Sequence, residues 1–156
     1  MKNIKKILMV CTGNSCRSIM AEGYLAKRLK EIGEKDIVVH SAGTHTVVGF
    51  KPTNETIEVM KEHGVDVSEY MSSPLNKIHI DTADIILVME PHHKEKVLNL
   101  APDVEEKIKY LREFSSENSI EKCRINDPIG QPIKFYKQVF AIIEDSIEGF
   151  LKWLKE

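Results

Sequence analysis

The chain has 156 residues, 24 acidic against 22 basic, a formal net charge of -2, 42% hydrophobic and 29% charged residues. That suits one domain, 1–156, with one core, and the near balance of charge gives no general reason to expect nucleic acid or an anionic membrane as a partner. No run approaches the roughly 20 apolar residues of a membrane span, the apolar run 7–10 is too short for a secretory leader, and three cysteines, two of them in one loop, make no disulfide framework, so a reducing cytoplasm is the expected compartment.

Residues 7–10 predict a short apolar strand, with Lys2, Lys5 and Lys6 as its solvated approach. Residues 18–32 predict a helix whose buried stripe draws on Met20, Tyr24 and 26–29, with Gly33 as its stop. Residues 37–39 give a second strand, and 53–62 a helix that starts after Pro52 and stops at Gly64. The run 83–89 is apolar almost throughout, the composition of a strand buried on both faces. Pro91 stands where a helix would begin, with Val97, Leu98 and Leu100 on its apolar side, and 108–111 give a fourth strand. Phe135, Val139, Ile142, Ile143, Ile147, Phe150 and Leu154 then recur at helical spacing to the C-terminus. Strands alternating with helices imply an α/β domain with a parallel sheet covered on both faces. Ligands in such sheets sit beyond the carboxyl ends of the strands.

The turn after the first strand reads Cys11, Thr12, Gly13, Asn14, Ser15, Cys16, Arg17, Ser18. Gly13 and Asn14 are residue types that tolerate left-handed backbone. A loop of this kind turns successive N–H groups inward as an anion nest, and the following helix N-terminus adds donors and a positive dipole end. The same field stabilises a thiolate at Cys11. Arg17 supplies the planar fork that grips phosphate oxygens. Cys11 and Arg17 therefore frame one tetrahedral oxyanion site with the sulfur placed for in-line attack on phosphorus, and the absent Gly-Lys excludes a Walker loop.

Such chemistry also needs a proton donor, and Asp127, stiffened by Pro128 between the last strand and the last helix, is the candidate. Ser18 can donate its hydroxyl to the Cys11 sulfur, or serve as an ordinary helix N-cap. No metal is required, because Arg17 and the backbone supply the positive charge. His92 and His93 are adjacent and are expected to point apart, unable to share a metal. Phe50 is either a cleft wall or core.

Through these residues the chain resembles the low-molecular-weight protein-tyrosine-phosphatase family over nearly its whole length: the 11–18 loop with Met20, Ala21 and Glu22, then Ser41-Ala42-Gly43, Val88-Met89-Glu90 and Asp127-Pro128. The resemblance implies a flavodoxin-like three-layer sandwich, a four-stranded parallel sheet with helices on both faces. It implies Cys11 as nucleophile, Arg17 as phosphate binder, Asp127 as general acid, Asn14 with Ser41 as the loop-shaping pair, and Cys16 as a second loop cysteine that can form a reversible disulfide with Cys11. The substrate is then a phosphorylated protein, with no cofactor, and the protein a monomer or weak dimer. The chain departs from tyrosine-specific members at Ser15, where they carry Ile, and at Ile129 and Gly130, where they carry aromatics. Ser15, Phe50 and Ile129 are the candidate specificity residues, and the polar Ser15 is closer to the family's protein-arginine phosphatases. Tyr70 stands where many members place a His. Two rival readings are arsenate reductase, whose chemistry needs two further relay cysteines where this chain has Met89 to His93 and only the isolated Cys123 beyond, and a non-catalytic module that binds phosphorylated partners.

Overall fold

The computed structural model describes residues 2–117 and 121–156. Strand β1 (Lys6–Cys11) lies at the centre of a four-stranded sheet, with β2 (Val38–Gly43) on one side, β3 (Ile85–Val88) on the other and β4 (Ile108–Tyr110) beyond it. All pairings are parallel, with Met9 opposite Ser41 and Leu87. Parallel strands need crossovers, and five helices among the described residues supply most of them: α1 (Arg17–Glu31), α2 (Asn54–Glu62), α3 (Lys77–Thr82), α4 (Pro91–Leu100) and α5 (Ile133–Lys155).

Successive side chains of a strand point to opposite faces, and the two central strands use this to build two cores. Ile7, Met9 and Cys11 with Ile85 and Leu87 join α1, α2 and α5 through Met20, Leu25, Met60, Phe140 and Ile147. Leu8, Val10, Ile86 and Val88 join α3 and α4 through Ile80 and Val97. The sandwich is the three-layer arrangement expected. The chain leaves β1 toward β2 and returns to β3 on the far side of β1, so the carboxyl ends of β1 and β3 flank the point where the winding reverses. Cys11 ends one of these strands and Glu90 follows the other.

Several local expectations are corrected. Helix α3 carries no long apolar run and had no signature; Asn76 caps it by accepting from the His79 N–H at 2.8 Å. Strand β2 runs on through Ser41 and Ala42 to Gly43, because its pairing with β1 extends to Cys11. In α1 Met20, Tyr24 and Leu29 are buried as expected and Leu25 joins them, while Ala26 faces out; α5 buries Tyr136 in preference to Phe135. Lys2 is not simply solvated: its Nζ donates to the Trp153 carbonyl at 2.6 Å and lies 4.2 Å above that ring, tying the N-terminus to α5.

Candidate active site

The 11–16 loop is fixed from outside by its carbonyls. Those of Cys11 and Thr12 accept from the N–H groups of Thr44 and His45 at 2.9 Å each, and that of Ser15 accepts from Thr53 at 3.2 Å. Gly43 permits the close approach: a Cβ there would stand 2.7 Å from the Thr12 carbonyl oxygen and 3.0 Å from Asn14 Cβ. Asn14, not Gly13, takes the left-handed conformation, with φ of 52°. Its buried side chain holds that geometry through three bonds. Oδ1 accepts from the Ser73 N–H at 2.8 Å, and Nδ2 donates to Ser41 Oγ at 2.9 Å and to Ser18 Oγ at 2.8 Å. Ser41 in turn donates to the Glu22 carboxylate. Burial pushes the Glu22 carboxyl above its ordinary range.

Ser18 is fully buried, and its Oγ stands 2.9 Å from Cys11 Sγ. Asn14 supplies the hydrogen on the acceptor side of Ser18, so the hydroxyl proton is left for the sulfur. The N-cap reading of Ser18 does not hold: Cys16 is the N-cap and Ser18 sits inside the first turn. No side chain caps α1 and no acid occupies its first turn. Its N–H groups and dipole end are therefore open to an anion beside the sulfur.

Arg17 is 1% exposed although it carries a full charge. Burial at that level demands partners. Nη1 donates to Glu90 Oε2 at 2.6 Å and to the Ile125 carbonyl at 2.7 Å, while Nη2 lies 3.4 Å from both Thr12 Oγ1 and Asp127 Oδ2. Sequence reasoning quoted Glu90 within the Val88-Met89-Glu90 motif but gave it no role; it stands two residues after the all-apolar strand β3. Burial raises the Glu90 carboxyl, but the hydrogen bond and charge of Arg17, with His92, outweigh it and hold the group below its ordinary value. His93, fully buried, places Nε2 2.9 Å from Thr12 Oγ1. Burial, with the Arg17 charge behind it, pushes His93 down to about 3, so it is a neutral hydrogen-bonding partner to the loop.

His92 and His93 do not point apart. Their ring centroids are 4.0 Å from each other, because at the start of α4 both rings fold back toward Glu90. Glu90, His92 and His93 bring ligand atoms within 4.8 Å of one another. Each Glu90 oxygen, however, already meets an arginine at 2.6 Å, Arg17 on one and Arg124 on the other. Two guanidinium groups at that range oppose a further cation, and the cluster reads as the mount for Arg17.

The cleft outside the loop is a cavity of about 620 Å³ lined by Gly13, Ser15, His45, Thr46, Val47, Phe50, Lys51 and Thr53. Phe50 is 61% exposed and so is wall, not core. Ser72 holds this rim: its Oγ accepts from the Phe50 N–H at 2.9 Å and donates to the Val47 carbonyl at 2.6 Å. Ile129 is also exposed, but on the Asp127 side, where its N–H donates to Asp127 Oδ1 at 3.1 Å. The structure thus brings Cys11, Asn14, Arg17, Ser18, Ser41 and Asp127 into one frame, sets Ser15 and Phe50 at its mouth, and places Ile129 beside Asp127, outside the lining of the Ser15 and Phe50 cavity. Tyr70 lines a separate cavity of about 460 Å³ with Glu22, Ser41 and Ser73, behind the loop. Cys16 is buried and near Thr53 Oγ1 at 3.7 Å and Tyr136 Oη at 3.9 Å; burial raises its thiol. Cys11, Cys16 and the half-buried Cys123 are free thiols.

Residues 6–156 match the family model described as low molecular weight phosphotyrosine protein phosphatase. A protein-arginine-phosphatase of Geobacillus stearothermophilus is 34% identical over 96% of both chains. A probable low molecular weight protein-tyrosine-phosphatase, EpsP, of Ralstonia solanacearum is 30% identical over 95% of this chain and 94% of its own. Among solved structures, a mutant of the YwlE arginine phosphatase with a phosphorylated active-site serine superposes with a TM-score of 0.87 at 29% identity, covering 97% of this chain and 96% of that one.

Proposed function

Because the chain belongs to the low molecular weight phosphotyrosine protein phosphatase family, we propose that it dephosphorylates proteins through a phosphocysteine at Cys11, with phosphoarginine as the side chain that its rim fits best. The observation that carries the chemistry is the single frame in which Ser18 meets the Cys11 sulfur at 2.9 Å while Arg17 stands 3.4 Å from the Asp127 carboxylate. In this reading the Cys11 thiolate attacks phosphorus in line. An S–P bond forms as the P–N or P–O bond to the substrate breaks, and Asp127 gives its proton to the departing nitrogen or oxygen. Arg17 and the loop N–H groups hold the equatorial oxygens, where charge spreads in the transition state. Asp127, now ionised, takes a proton from a water that attacks phosphorus. The S–P bond breaks, inorganic phosphate leaves, and the thiolate returns to the Ser18 hydroxyl. The phosphorylated serine in the YwlE mutant is a phosphoenzyme on the same fold, which supports this route.

The preference for phosphoarginine rests on the mouth of the cleft. Ser15 offers a small hydroxyl that a guanidinium, or the water that attacks the phosphocysteine, can hydrogen-bond, where an apolar residue would instead favour a phenyl ring. Phe50 and the His45 imidazole are the rings that line that cavity. Ile129 and Gly130 follow Asp127-Pro128, so these two positions offer no ring and stacking on phosphotyrosine is weakened there.

The test is kcat/KM for phosphoarginine and phosphotyrosine side by side, on wild type and Ser15→Ile. A wild-type preference for phosphoarginine that reverses in Ser15→Ile is expected. A preference for phosphotyrosine that ignores Ser15 would overturn the substrate assignment and leave the phosphatase chemistry standing. Full turnover by Cys11→Ser would overturn the chemistry itself.

A further inference from the structure

Glu90 has two carboxylate oxygens and two arginines, one on each. Arg17 Nη1 takes Oε2 at 2.6 Å, with His92 Nε2 3.3 Å from the same oxygen, and Arg124 Nη1 takes Oε1 at 2.6 Å. A carboxylate facing a lone guanidinium prefers the paired fork, both oxygens on both N–H edges. Here it cannot adopt that fork, because Arg124 occupies the second oxygen. Arg17 is therefore held to Glu90 by one nitrogen, and the other, Nη2, looks toward Thr12 and Asp127 at the loop side.

We propose that Arg124 is a positioning residue: by occupying Glu90 Oε1 it keeps the Arg17–Glu90 contact single and leaves Arg17 Nη2 for the phosphoryl group. The inference deepens the phosphatase reading and rests on it. Without Arg124, Glu90 can turn its free oxygen onto Nη2 and draw the guanidinium away from the loop, and Arg17 then offers the anion one fewer charged donor. The same segment is otherwise well anchored. The Ile125 N–H donates to the Met89 carbonyl at 2.9 Å, Ile125 is fully buried, and Arg112 Nη1 donates to the Arg124 carbonyl at 2.8 Å. The Arg124 side chain is itself 44% exposed whereas Glu90 is 12% exposed, so replacing Arg124 leaves Glu90 Oε1 in a largely buried place without its partner and in need of another.

The experiment is calorimetric binding of inorganic phosphate to wild type, Arg124→Gln, Arg124→Lys, Glu90→Gln and the double variant Glu90→Gln/Arg124→Gln, each checked for an unchanged thermal transition or compared at equal folded fraction. Arg124→Gln is expected to weaken phosphate binding about tenfold, the worth of one charge-assisted hydrogen bond. Arg124→Lys, which can still hold Oε1 with a point charge, should bind within about threefold of wild type. In the Glu90→Gln background a neutral amide has no drive to fork onto Arg17, so adding Arg124→Gln should change binding by less than about twofold. Unchanged phosphate binding in Arg124→Gln, or the same tenfold loss in the Glu90→Gln background, would overturn the proposal. A wild type that binds phosphate and shows this pattern, yet turns over no phosphorylated side chain, would instead overturn the phosphatase reading alone.

Discussion

Removing the Ser18 hydroxyl should separate the two halves of the proposed cycle. Ser18 Oγ lies 2.9 Å from Cys11 Sγ and receives an Asn14 N–H at 2.8 Å, so its own proton is directed at the sulfur. When phosphocysteine breaks down, the sulfur leaves with a growing negative charge, and a donor aimed at that charge stabilises the transition state more than the covalent intermediate. A hydrogen bond to a charged group contributes about 1.5–3 kcal/mol, or roughly a tenfold to hundredfold change in rate at 1.36 kcal/mol per decade. The loss belongs to the second step. Ser18→Ala assayed in stopped flow with an activated aryl phosphate should release a burst of phenol approaching one equivalent per site, followed by a steady rate reduced tenfold to a hundredfold. The substitution also leaves one Asn14 N–H without its acceptor, which costs the loop geometry and touches both steps. Equal losses in kcat and kcat/KM with no burst would mean that Ser18 acts only by holding the loop, and the leaving-group argument would fail.

Three other outcomes are expected. Gly149 lies where α5 runs against the 111–114 turn, and a Cβ there would fall on the Phe114 carbonyl; Gly149→Ala should therefore cost at least the ~1–3 kcal/mol of overpacking, lowering Tm by several degrees in a thermal melt, and an unchanged Tm would contradict the packing. Glu90 ionises more readily folded than unfolded, so its contribution is complete above the ordinary value of 4.5 and drains away as pH falls through the lower folded value; wild type should lose stability in that acid window in urea titrations, Glu90→Gln should lose about 3 kcal/mol at neutral pH and show a flatter acid limb, and parallel acid limbs would exclude Glu90 as the titrating group. Peroxide should oxidise the Cys11 thiolate to a sulfenic acid, which the Cys16 sulfur then displaces with loss of water to give a disulfide; mass spectrometry should find that bridge and recover activity with a thiol, whereas sulfinic Cys11 alone would exclude Cys16 as the partner.

What could be read from the sequence and what could not divides by the range of the interactions. The strands and four of the five helices announce themselves through apolar runs, Pro91 and the glycines at 33 and 64, because these signals are local to the chain. The 11–18 loop is equally local: its residue types, its place after a strand and the helix behind it sit within eight positions. Asp127 was reachable only because a thiol-based phosphoryl transfer needs an acid and one stiffened Asp lay in the right loop. The mount for Arg17 was out of reach. Glu90 is 73 positions from Arg17 and 34 from Arg124, and no spacing rule joins them. The His92–His93 pair was misjudged for a related reason. Adjacent residues diverge on a regular helix, but these sit at its first turn, where both rings can fold back toward an N-cap carboxylate. A buried cation dictates such partners: once β1 and α1 carry Arg17 to 1% exposure, the fold has to deliver a carboxylate to it, and the carboxyl end of β3, paired beside β1, does so through Glu90. The demand for a counter-charge follows from the burial of Arg17, and the identity of the residue meeting it from the register between β1 and β3; both are supplied by the three-dimensional structure.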